Sequence, residues 1–370
     1  MSLDATTINN LITGDENCRA IEEARTLIET RCCILFAGAG ISKPAGYPLW
    51  RELLTELRTV LQDKGVDTSS IDLSDLLLGA NRLYDCFVQN NFLEPYYYSF
   101  LYNRFGPKSG QSLDLQQVLL TLPFCGIVTT NWDVCFEEAI HRGRPNRSEF
   151  SPTCSIHEDH PHTVRRFFDS LCRGTDAGSV AHLHGVYDDA KKIILTAHQY
   201  ARAYVGGYQN VDAIGSQIVT ANRPTLWTVL SRFIGRGRQN PARLDVPASI
   251  ASSNWTLLRK TVWALMATRR LIFVGFGMSD PFLYALFEYV SGDLWDKTAH
   301  VHYLITGVNA DTKMDPNMYR RRLCTNLGVQ TIFYEVQGDD HSRLNDLLYS
   351  MGATPPTTKG RLVSKLLGPP

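Results

Sequence analysis

The stretch that decides the fold is CILFAGAGIS, residues 33–42. Its first five residues are apolar and long enough for one buried strand, which ends where Gly38 and Gly40 begin a tight turn. Residues 49–61, LWRELLTELRTVL, have the apolar spacing of a helix that follows the turn. A strand, a glycine-rich turn and a helix in this order are typical of the start of a nucleotide-binding α/β domain.

The same alternation continues along the chain. Short apolar runs predict further strands at residues 126–130, 180–183, 192–195, 271–274, 301–305 and 331–336. Helical spacing predicts helices at residues 17–31, 112–121, 133–141 and from about residue 281. Because parallel strands need a crossover helix between them, this order predicts an α/β fold with a doubly wound, mostly parallel, Rossmann-like sheet and a helical insertion.

Composition excludes several classes of protein. Of 370 residues, 44% are hydrophobic and 20% are charged, which fits a globular domain with a large core. Lys and Arg together number 37, as do Asp and Glu, so no net positive charge favours nucleic acid or an anionic membrane; any contact with nucleic acid is expected to be indirect or local. The first residues lack the basic start and apolar run of a secretory signal, and no stretch approaches roughly 18 apolar residues. We therefore expect a cytoplasmic protein.

We predict three parts along the chain. They are an N-terminal helical segment at 1–30, the main α/β domain at 31–350 and a C-terminal tail at 351–370. Two helical insertions, at about 65–122 and 200–262, interrupt the main domain.

Two polar segments, 142–162 and 206–254, are interpreted as insertions above the edge of the sheet. The second contains four arginines, Arg232, Arg236, Arg238 and Arg243. Residues 232–243 could meet a partner or nucleic acid, but a solvated loop is the interpretation we favour.

The residues directly after four of the predicted strands are polar or glycine. They read GAGIS at 38–42, TTNWD at 129–133, HLHG at 182–185 and GFGMSD at 275–280. In a doubly wound sheet, ligands bind outside the carboxyl ends of the strands. These four segments therefore predict one binding cleft.

Each segment also has a purely structural interpretation. A Gly-x-Gly turn is about as often a packing device as a phosphate site, although two on one sheet favour phosphate binding at helix N-termini. Asn131 and Asp133 could cap the following helix; for Asp133 both interpretations stay open, and for Asn131 we favour a ligand contact. A histidine beside glycine is usually structural, as we expect of His182, and only its neighbours favour a site role for His184.

These motifs resemble those of the sirtuin family. GAGIS at 38–42 followed by AGYPLWR at 45–51 resembles the sirtuin NAD-binding signature in order and spacing, and TTNWD and LHG follow in the expected succession. Residues 193–200 and GFGMSDP at 275–281 are more similar to a sirtuin-like branch of bacterial anti-phage defence systems, whose members are NAD hydrolases. The resemblance covers about residues 30–340.

The resemblance implies that the domain at 31–350 binds NAD and is catalytic. The residues that would bind NAD are Gly38, Ala39, Gly40, Ser42, Trp50, Arg51, Thr130, Asn131, Asp133, Gly275, Gly277 and Ser279. The first glycine turn would cradle the pyrophosphate, Trp50 and Arg51 would close over the cofactor, and the second glycine turn would border the adenosine. Asn131 with Asp133 would hold the nicotinamide and its ribose. Asn131 and His184 are the predicted catalytic residues, with His184 as the base.

The sequence departs from the deacetylating sirtuins in its cysteines and in its acyl site. A zinc ribbon needs paired Cys-x-x-Cys motifs, and none of the nine cysteines forms such a pair, so we expect no metal site. Those in apolar segments are expected to be reduced and buried: Cys32, Cys33, Cys125 and Cys135. Leu49 replaces the acidic residue usual in the signature, and the acyl-lysine channel has no recognisable counterpart.

The resemblance therefore implies an NAD glycohydrolase that releases nicotinamide and ADP-ribose, or a cyclic product, as an NAD-depleting effector of anti-phage defence. Nicotinamide leaves without protonation, and His184, with a pKa near neutrality, would take a proton from water or a ribose hydroxyl. Two further hypotheses stay open: an NAD-dependent protein deacylase or ADP-ribosyltransferase, and a catalytically idle module that binds NAD or ADP-ribose. By analogy with the family, we expect a homo-oligomer and an activating partner such as a hexameric ATPase of the helicase type or an Argonaute-like protein.

Overall fold

A single parallel sheet forms the centre of the protein. The computed structural model describes residues 3–143, 154–156, 161–173, 180–204, 255–278, 280–294, 302–312, 314–338 and 340–356. The strands are β1 Cys33–Ala37, β2 Ile127–Thr129, β3 Cys154–Ser155, β4 Val180–His182, β5 Arg270–Val274, β6 His302–Val308 and β7 Val329–Glu335. Their order across the sheet is β3-β4-β2-β1-β5-β6-β7, and every pair is parallel. The order reverses at β1, so the predicted doubly wound, Rossmann-like α/β fold is confirmed.

Helices cover both faces of this sheet. In chain order they are α1 Ala5–Thr13, α2 Asp15–Glu29, α3 Ala39–Ser42, α4 Trp50–Asp63, α5 Leu76–Gln89, α6 Ser99–Phe105, α7 Asp114–Leu120, α8 Cys135–Gly143, α9 Pro161–Arg173, α10 Ala197–Tyr204, α11 Leu257–Thr268, α12 Pro281–Leu294, α13 Pro316–Leu327 and α14 Ser342–Ser350. A π-helix, Leu93–Tyr98, precedes α6, and a 3-10 helix, Tyr187–Lys192, follows β4.

Alternate residues of the strands enter two separate hydrophobic cores. In β1, Ile34 and Phe36 belong to one core, while Leu35 and Ala37 belong to the other. The first core is covered by α9 to α13, and the second by α2, α7, α8 and α14. Because both faces are covered, β1 is apolar throughout instead of alternating with polar residues.

A third core lies between α4 and the helices of the predicted 65–122 insertion. Leu53 and Leu57 of α4 pack with Leu83 and Phe87 of α5 and with Tyr97 of the π-helix. This packing fixes α4, so that the start of the helix faces the carboxyl ends of the strands, where the candidate site lies.

The two N-terminal helices are packed into the main domain. The Asn17 side chain on α2 donates from Nδ2 to the Phe333 carbonyl at 3.1 Å, and its Oδ1 accepts from the Phe333 N–H at 2.8 Å. Phe333 lies in β7, which is an edge strand and would otherwise offer these backbone groups to another strand. The predicted boundary at residue 30 therefore does not separate two packing units.

Two predictions about strands are wrong. Residues 192–195 form no strand: the chain enters a 3-10 helix at Tyr187, and the Ile194 N–H then donates to the His184 carbonyl at 3.0 Å. Conversely, the polar segment 142–162, which was interpreted as an insertion, contains a strand of the sheet. This strand is β3, and it pairs with β4.

The structure also differs from two other expectations, which concern the cysteines and the C-terminal tail. Cys33, Cys125 and Cys135 are buried, but Cys32 is exposed, because it lies in the turn between α2 and β1. Met351 and Ala353 are buried in the second core, so packing continues past the predicted start of the tail. Most of the 200–262 insertion, the arginines of 232–243 and the tail beyond residue 356 lie outside the described residues.

Candidate functional site

One cavity of about 550 Å³ opens at the carboxyl ends of the strands. Ligand sites commonly have volumes of roughly 300–1,000 Å³. The predicted site residues that line it are Ala39, Gly40, Ser42, Trp50, Arg51, Thr130, Asn131, Asp133, His184, Gly275 and Gly277. Gly38 lies beside this lining and accepts a hydrogen bond from Asn131, whereas Ser279 lies outside the described residues. The cavity thus brings together residues that the sequence places after four different strands.

The register of β2 and β4 explains why Asn131 and His184 meet. Thr129 lies opposite His182 in this parallel pair, and two residues further along each strand come Asn131 and His184. Neighbouring strands lie about 4.8 Å apart. Both side chains therefore reach the same end of the sheet.

The two glycine turns pack directly against each other. A Cβ on Gly38 would lie 2.4 Å from the carbonyl oxygen of Gly275, and a Cβ on Gly275 would lie 2.6 Å from the nitrogen of Ile41. Gly275 has a φ of 63°, and its carbonyl accepts from the Gly40 N–H at 2.9 Å. This close approach requires glycine at 38 and 275 without any ligand. Phosphate binding by the turns stays a prediction.

Asn131 is held in one orientation. Its Nδ2 donates to the Gly38 carbonyl at 3.0 Å and to Ser42 Oγ at 2.9 Å. Its Oδ1 is buried and has no hydrogen-bond partner among the described residues. An unpaired buried acceptor is unfavourable by about 1–3 kcal/mol. A donor from a bound ligand would remove this deficit.

Asp133 is both a helix cap and a cavity residue. Its Oδ1 accepts from the Cys135 N–H at 3.1 Å at the start of α8, so the capping interpretation is confirmed. Burial raises the pKa of Asp133, although hydrogen bonds from Cys135 and Ser42 oppose the change. The residue also lines the cavity, and its ligand role stays a prediction.

His182 is hydrogen-bonded to the backbone of Asn131 and to the side chain of Glu137. Its Nδ1 is 2.7 Å from the Asn131 carbonyl oxygen and its Nε2 is 2.8 Å from Glu137 Oε1. Because a carbonyl can only accept, Nδ1 carries a proton, and Nε2 shares a second proton with the carboxyl group. Burial opposes the charged imidazolium, but Glu137 outweighs it and the pKa of His182 is raised. His182 therefore has the structural role that the sequence predicts.

The imidazole of His184 is buried between aromatic rings. The rings of Tyr200 and Tyr204 meet it edge to face, with centroids 5.1 and 5.9 Å away. Its Nε2 is 2.8 Å from the Tyr204 hydroxyl, which leaves Nδ1 as the ring nitrogen for a ligand. Burial lowers the pKa of His184 to about 3. The expected pKa near neutrality is therefore wrong for this ring by itself, because apolar surroundings disfavour the imidazolium.

Asp280 and Tyr200 are cavity residues to which the sequence analysis gave no role. Asp280 Oδ2 lies 3.8 Å from His184 Nε2 and accepts from the Tyr200 hydroxyl at 2.9 Å. Burial raises the pKa of Asp280 to about 6. Its Oδ1 accepts from the N–H groups of Phe282 and Leu283, both at 3.0 Å. The first N–H groups of α12 are thus occupied, contrary to the expectation that this helix start is open to a pyrophosphate.

The start of α4 forms another wall of the cavity. The Nε1 atoms of Trp50 and Trp132 are buried and have no hydrogen-bond partner in the described ranges. Arg51 is exposed, and its Nη1 donates to the Leu73 carbonyl at 2.8 Å, which directs the guanidinium toward the helical insertion. Trp50, Trp132 and Asn131 all line the cavity, and each has one buried polar atom without a partner in these ranges.

The far end of the cavity was not predicted from the sequence. Thr306 and Gly307 of β6 line it, together with Tyr334 and His341, whose Oη and Nδ1 atoms are 2.8 Å apart. The sequence gives no motif there, because β6 and β7 continue as apolar or mixed runs without a glycine turn. For Tyr200 and Tyr204 the one available signal was their helical spacing of four residues.

The described residues hold no group of three or more His, Cys, Asp or Glu side chains that could bind a metal ion. Eight cysteines are free thiols: Cys18, Cys32, Cys33, Cys86, Cys125, Cys135, Cys172 and Cys324. No helix in the same ranges has both the length and the apolar character that crossing a membrane would require.

A doubly wound sheet with a cleft at its carboxyl edge is the architecture of nucleotide-binding α/β proteins. A family model described as the SIR2-like domain matches residues 126–332, which is more than half of the 370-residue chain. The chain therefore belongs to the SIR2-like family, which includes NAD-dependent enzymes of the sirtuin type. No curated protein sequence matches it at a significant level.

Proposed function

We propose that the protein binds NAD in the cavity and hydrolyses the bond between nicotinamide and ribose. One observation carries the proposal: Asn131, Asp133 and His184 converge on a single cavity at the reversal point of the sheet. The family to which the chain belongs uses NAD, and three residues that line the cavity each hold a buried polar atom without a partner among the described residues.

The chemistry of the bond decides what the protein must supply. The electron pair of the C–N bond leaves with nicotinamide and neutralises its pyridinium charge, so no acid is needed. The ribose passes through a cationic, oxocarbenium-like state, as in other glycosyl transfers. Water then attacks, its proton goes to a base, and ADP-ribose, nicotinamide and one proton result.

The residues of the cavity match these needs. Asn131 Oδ1 is a buried acceptor for a ribose hydroxyl or for the carboxamide of nicotinamide. Asp133 carries a buried carboxyl group that would stabilise positive charge when ionised. His184 offers Nδ1 to the proton of the attacking water, because Tyr204 occupies Nε2.

We also propose that the enzyme is an NAD-depleting effector of anti-phage defence that acts as a homo-oligomer and is activated by a partner, such as a hexameric ATPase of the helicase type. This proposal rests on the resemblance of its motifs to the defence branch of the family. Loss of NAD would harm the host, so an effector of this kind needs a trigger.

The test is to incubate the full chain with NAD, alone and with the candidate partner, and to separate nicotinamide, ADP-ribose and cyclic products by chromatography. We expect nicotinamide and ADP-ribose in equal amounts. His184→Gln and Asn131→Ala should each reduce their release by roughly a hundredfold or more, since the first removes the base and the second removes the acceptor for the ribose or the carboxamide.

A matched control for His184 is His302→Gln. His302 is also buried, and burial also lowers its pKa to about 3, but its Nδ1 accepts from the Leu271 N–H inside the sheet at 3.1 Å. We expect this variant to keep its nicotinamide release if it folds. NAD binding without release under any trigger would contradict hydrolysis and favour the idle module. Turnover that requires an acylated peptide would favour a deacylase, and ADP-ribose attached to protein would favour an ADP-ribosyltransferase.

A further inference from the structure

His184 and Asp280 form a buried pair whose members come from opposite sides of the sheet's reversal point. His184 follows β4, and Asp280 follows β5. His184 Nε2 and Asp280 Oδ2 are 3.8 Å apart, and the two residues are 3% and 6% exposed. Both residues line the cavity.

Two phenols complete the surroundings of the pair. Tyr204 lies 2.8 Å from His184 Nε2, and Tyr200 donates to Asp280 Oδ2 at 2.9 Å; both come from α10. Burial raises the pKa of each phenol well above its ordinary value, so both stay neutral. Phe282 of α12 stacks on Tyr200 at 5.0 Å and adds no charge. Among the described residues, these are the titratable groups that contact the pair.

The two protonation equilibria belong to the pair. Burial raises the pKa of Asp280 to about 6 and lowers that of His184 to about 3. In the acid range where the imidazole titrates, the Asp280 carboxyl group is already protonated and neutral. It therefore does not stabilise the charged imidazolium. The first proton is therefore taken up near pH 6, and that step is a property of the coupled pair and not of the imidazole alone.

We propose that Asp280 is the positioning and charge partner of His184, so that the buried pair, and not the imidazole alone, takes up the proton released during NAD hydrolysis. This inference rests on the proposed function. As the water oxygen bonds to the ribose carbon and the C–N bond breaks toward nicotinamide, the water proton passes to His184 Nδ1. The Asp280 carboxylate then neutralises the imidazolium.

The physical reason is the weakness of an isolated buried imidazole as a base. A base works best when its pKa lies near the working pH. A buried carboxylate beside the ring stabilises the imidazolium, as the aspartate does in a catalytic triad, without itself being protonated. Here the charge acts across 3.8 Å between two buried side chains, where electrostatic attraction is stronger than at the surface.

The test compares Asp280→Asn with Asp315→Asn. Asp315 is a matched residue: it also precedes a proline and caps a helix, α13, by accepting from the N–H groups of Asn317 and Met318 at 2.9 and 3.4 Å. Asparagine caps helices as well as aspartate does, so both variants lose charge and keep the cap. Asp315 is not part of the cavity.

We expect wild-type hydrolysis to fall tenfold for each pH unit below about 6, because the pair is then protonated. Asp280→Asn should be at least tenfold slower at pH 7.5 and lack this limb, with NAD binding changed by less than threefold. Asp315→Asn should match the wild type. An Asp280→Asn enzyme with the rate and pH profile of Asp315→Asn would overturn the inference.

A second measurement separates this inference from the proposed function. Histidine labelled at Cε1 reports on each ring by NMR, and the His184 signal is the one lost in His184→Gln. We expect it to shift with a midpoint near pH 6 in the wild type and to lose this step in Asp280→Asn. Tyr200→Phe removes a donor to the carboxylate, so the step should move to higher pH. A step that persists in Asp280→Asn would overturn the pair even if the protein hydrolyses NAD; a wild type that releases no nicotinamide would overturn only the proposed function and leave the pair to this measurement.

Discussion

Asn131 is oriented by acceptors that permit only one position of its amide. The Gly38 carbonyl can only accept, so the nitrogen must face it and the oxygen must point elsewhere. His182 fixes the backbone of the same residue through the Asn131 carbonyl. At the scale of single residues, the candidate site is therefore built from hydrogen bonds that fix which polar atoms remain for a ligand.

This arrangement predicts a large effect of Asn131→Asp, although the two side chains have nearly the same shape. The change removes both donors and places a carboxylate against the Gly38 carbonyl. We expect the free energy of unfolding to fall by about 2–4 kcal/mol and NAD binding to be lost. Chemical denaturation and calorimetric titration with NAD measure the two effects.

Asn90→Asp is the control for this prediction. The Asn90 amide also donates to a carbonyl, that of Cys86 at 2.8 Å, but at an exposed position. We expect a loss of about 0.5 kcal/mol, because water solvates the new carboxylate. Equal losses in the two variants would mean that burial of the Asn131 amide has no special effect.

At the scale of elements, the turns after β1 and β5 depend on each other. β1 and β5 are neighbouring strands in register, with Ala37 opposite Val274, so both chains leave the sheet at the same level. Gly38 and Gly275 allow the two turns to touch at that point. The contact sets the position of the segment that carries Asp280 relative to the segment that carries Ser42.

We predict that Gly275→Ala destabilises the protein far more than Gly65→Ala. Gly275 and Gly65 both have positive φ, 63° and 78°. A Cβ on Gly65 would meet none of the described residues within 4 Å, whereas a Cβ on Gly275 meets Ile41 N at 2.6 Å. In Gly65→Ala the free energy of unfolding should fall by about 1–2 kcal/mol, from the left-handed backbone alone. In Gly275→Ala the free energy of unfolding should fall by at least about 2 kcal/mol more, because of the steric contact. Similar denaturation midpoints for the two variants would show that the two turns can move apart without loss of stability.

At the scale of the whole molecule, the reversal of strand order places one cleft across most of the sheet. Its walls include residues after β2 and β4 on one side and residues of β6 on the other. Burial in this cleft changes the protonation of several groups, and the stability of the folded protein therefore depends on pH.

The raised pKa of Asp280 determines whether the free energy of unfolding rises or falls with pH. Its pKa is raised from 3.8 to about 6 in the folded state, so ionisation is easier in the unfolded chain, and the free energy of unfolding falls as pH rises from about 4 to 6. The full loss is about 3 kcal/mol above that range. We expect the stability of Asp280→Asn relative to the wild type to increase by this amount between pH 4 and pH 7. A difference that does not vary with pH in denaturation experiments would contradict the raised pKa.

The sequence predicted the elements whose signal is local. The runs at β1, β2 and β5 are apolar because both faces of the sheet are covered, and the glycine turns follow directly in the chain. Residues 192–195 were misjudged, because a short buried apolar run can be a strand or a loop that lies against a strand end. The two residues of β3 are too few to produce a pattern.

By itself, the sequence determined the α/β class, the cleft at the carboxyl ends and the positions of Asn131 and His184, since each follows directly from its neighbours along the chain. Only the tertiary structure decided the protonation of His184 and the part played by Asp280 and Tyr200. Those properties depend on burial and on distances between residues far apart in the chain, such as the 80 residues that separate Tyr200 from Asp280. No local pattern encodes such distances, because packing alone decides which side chains share a low-dielectric pocket.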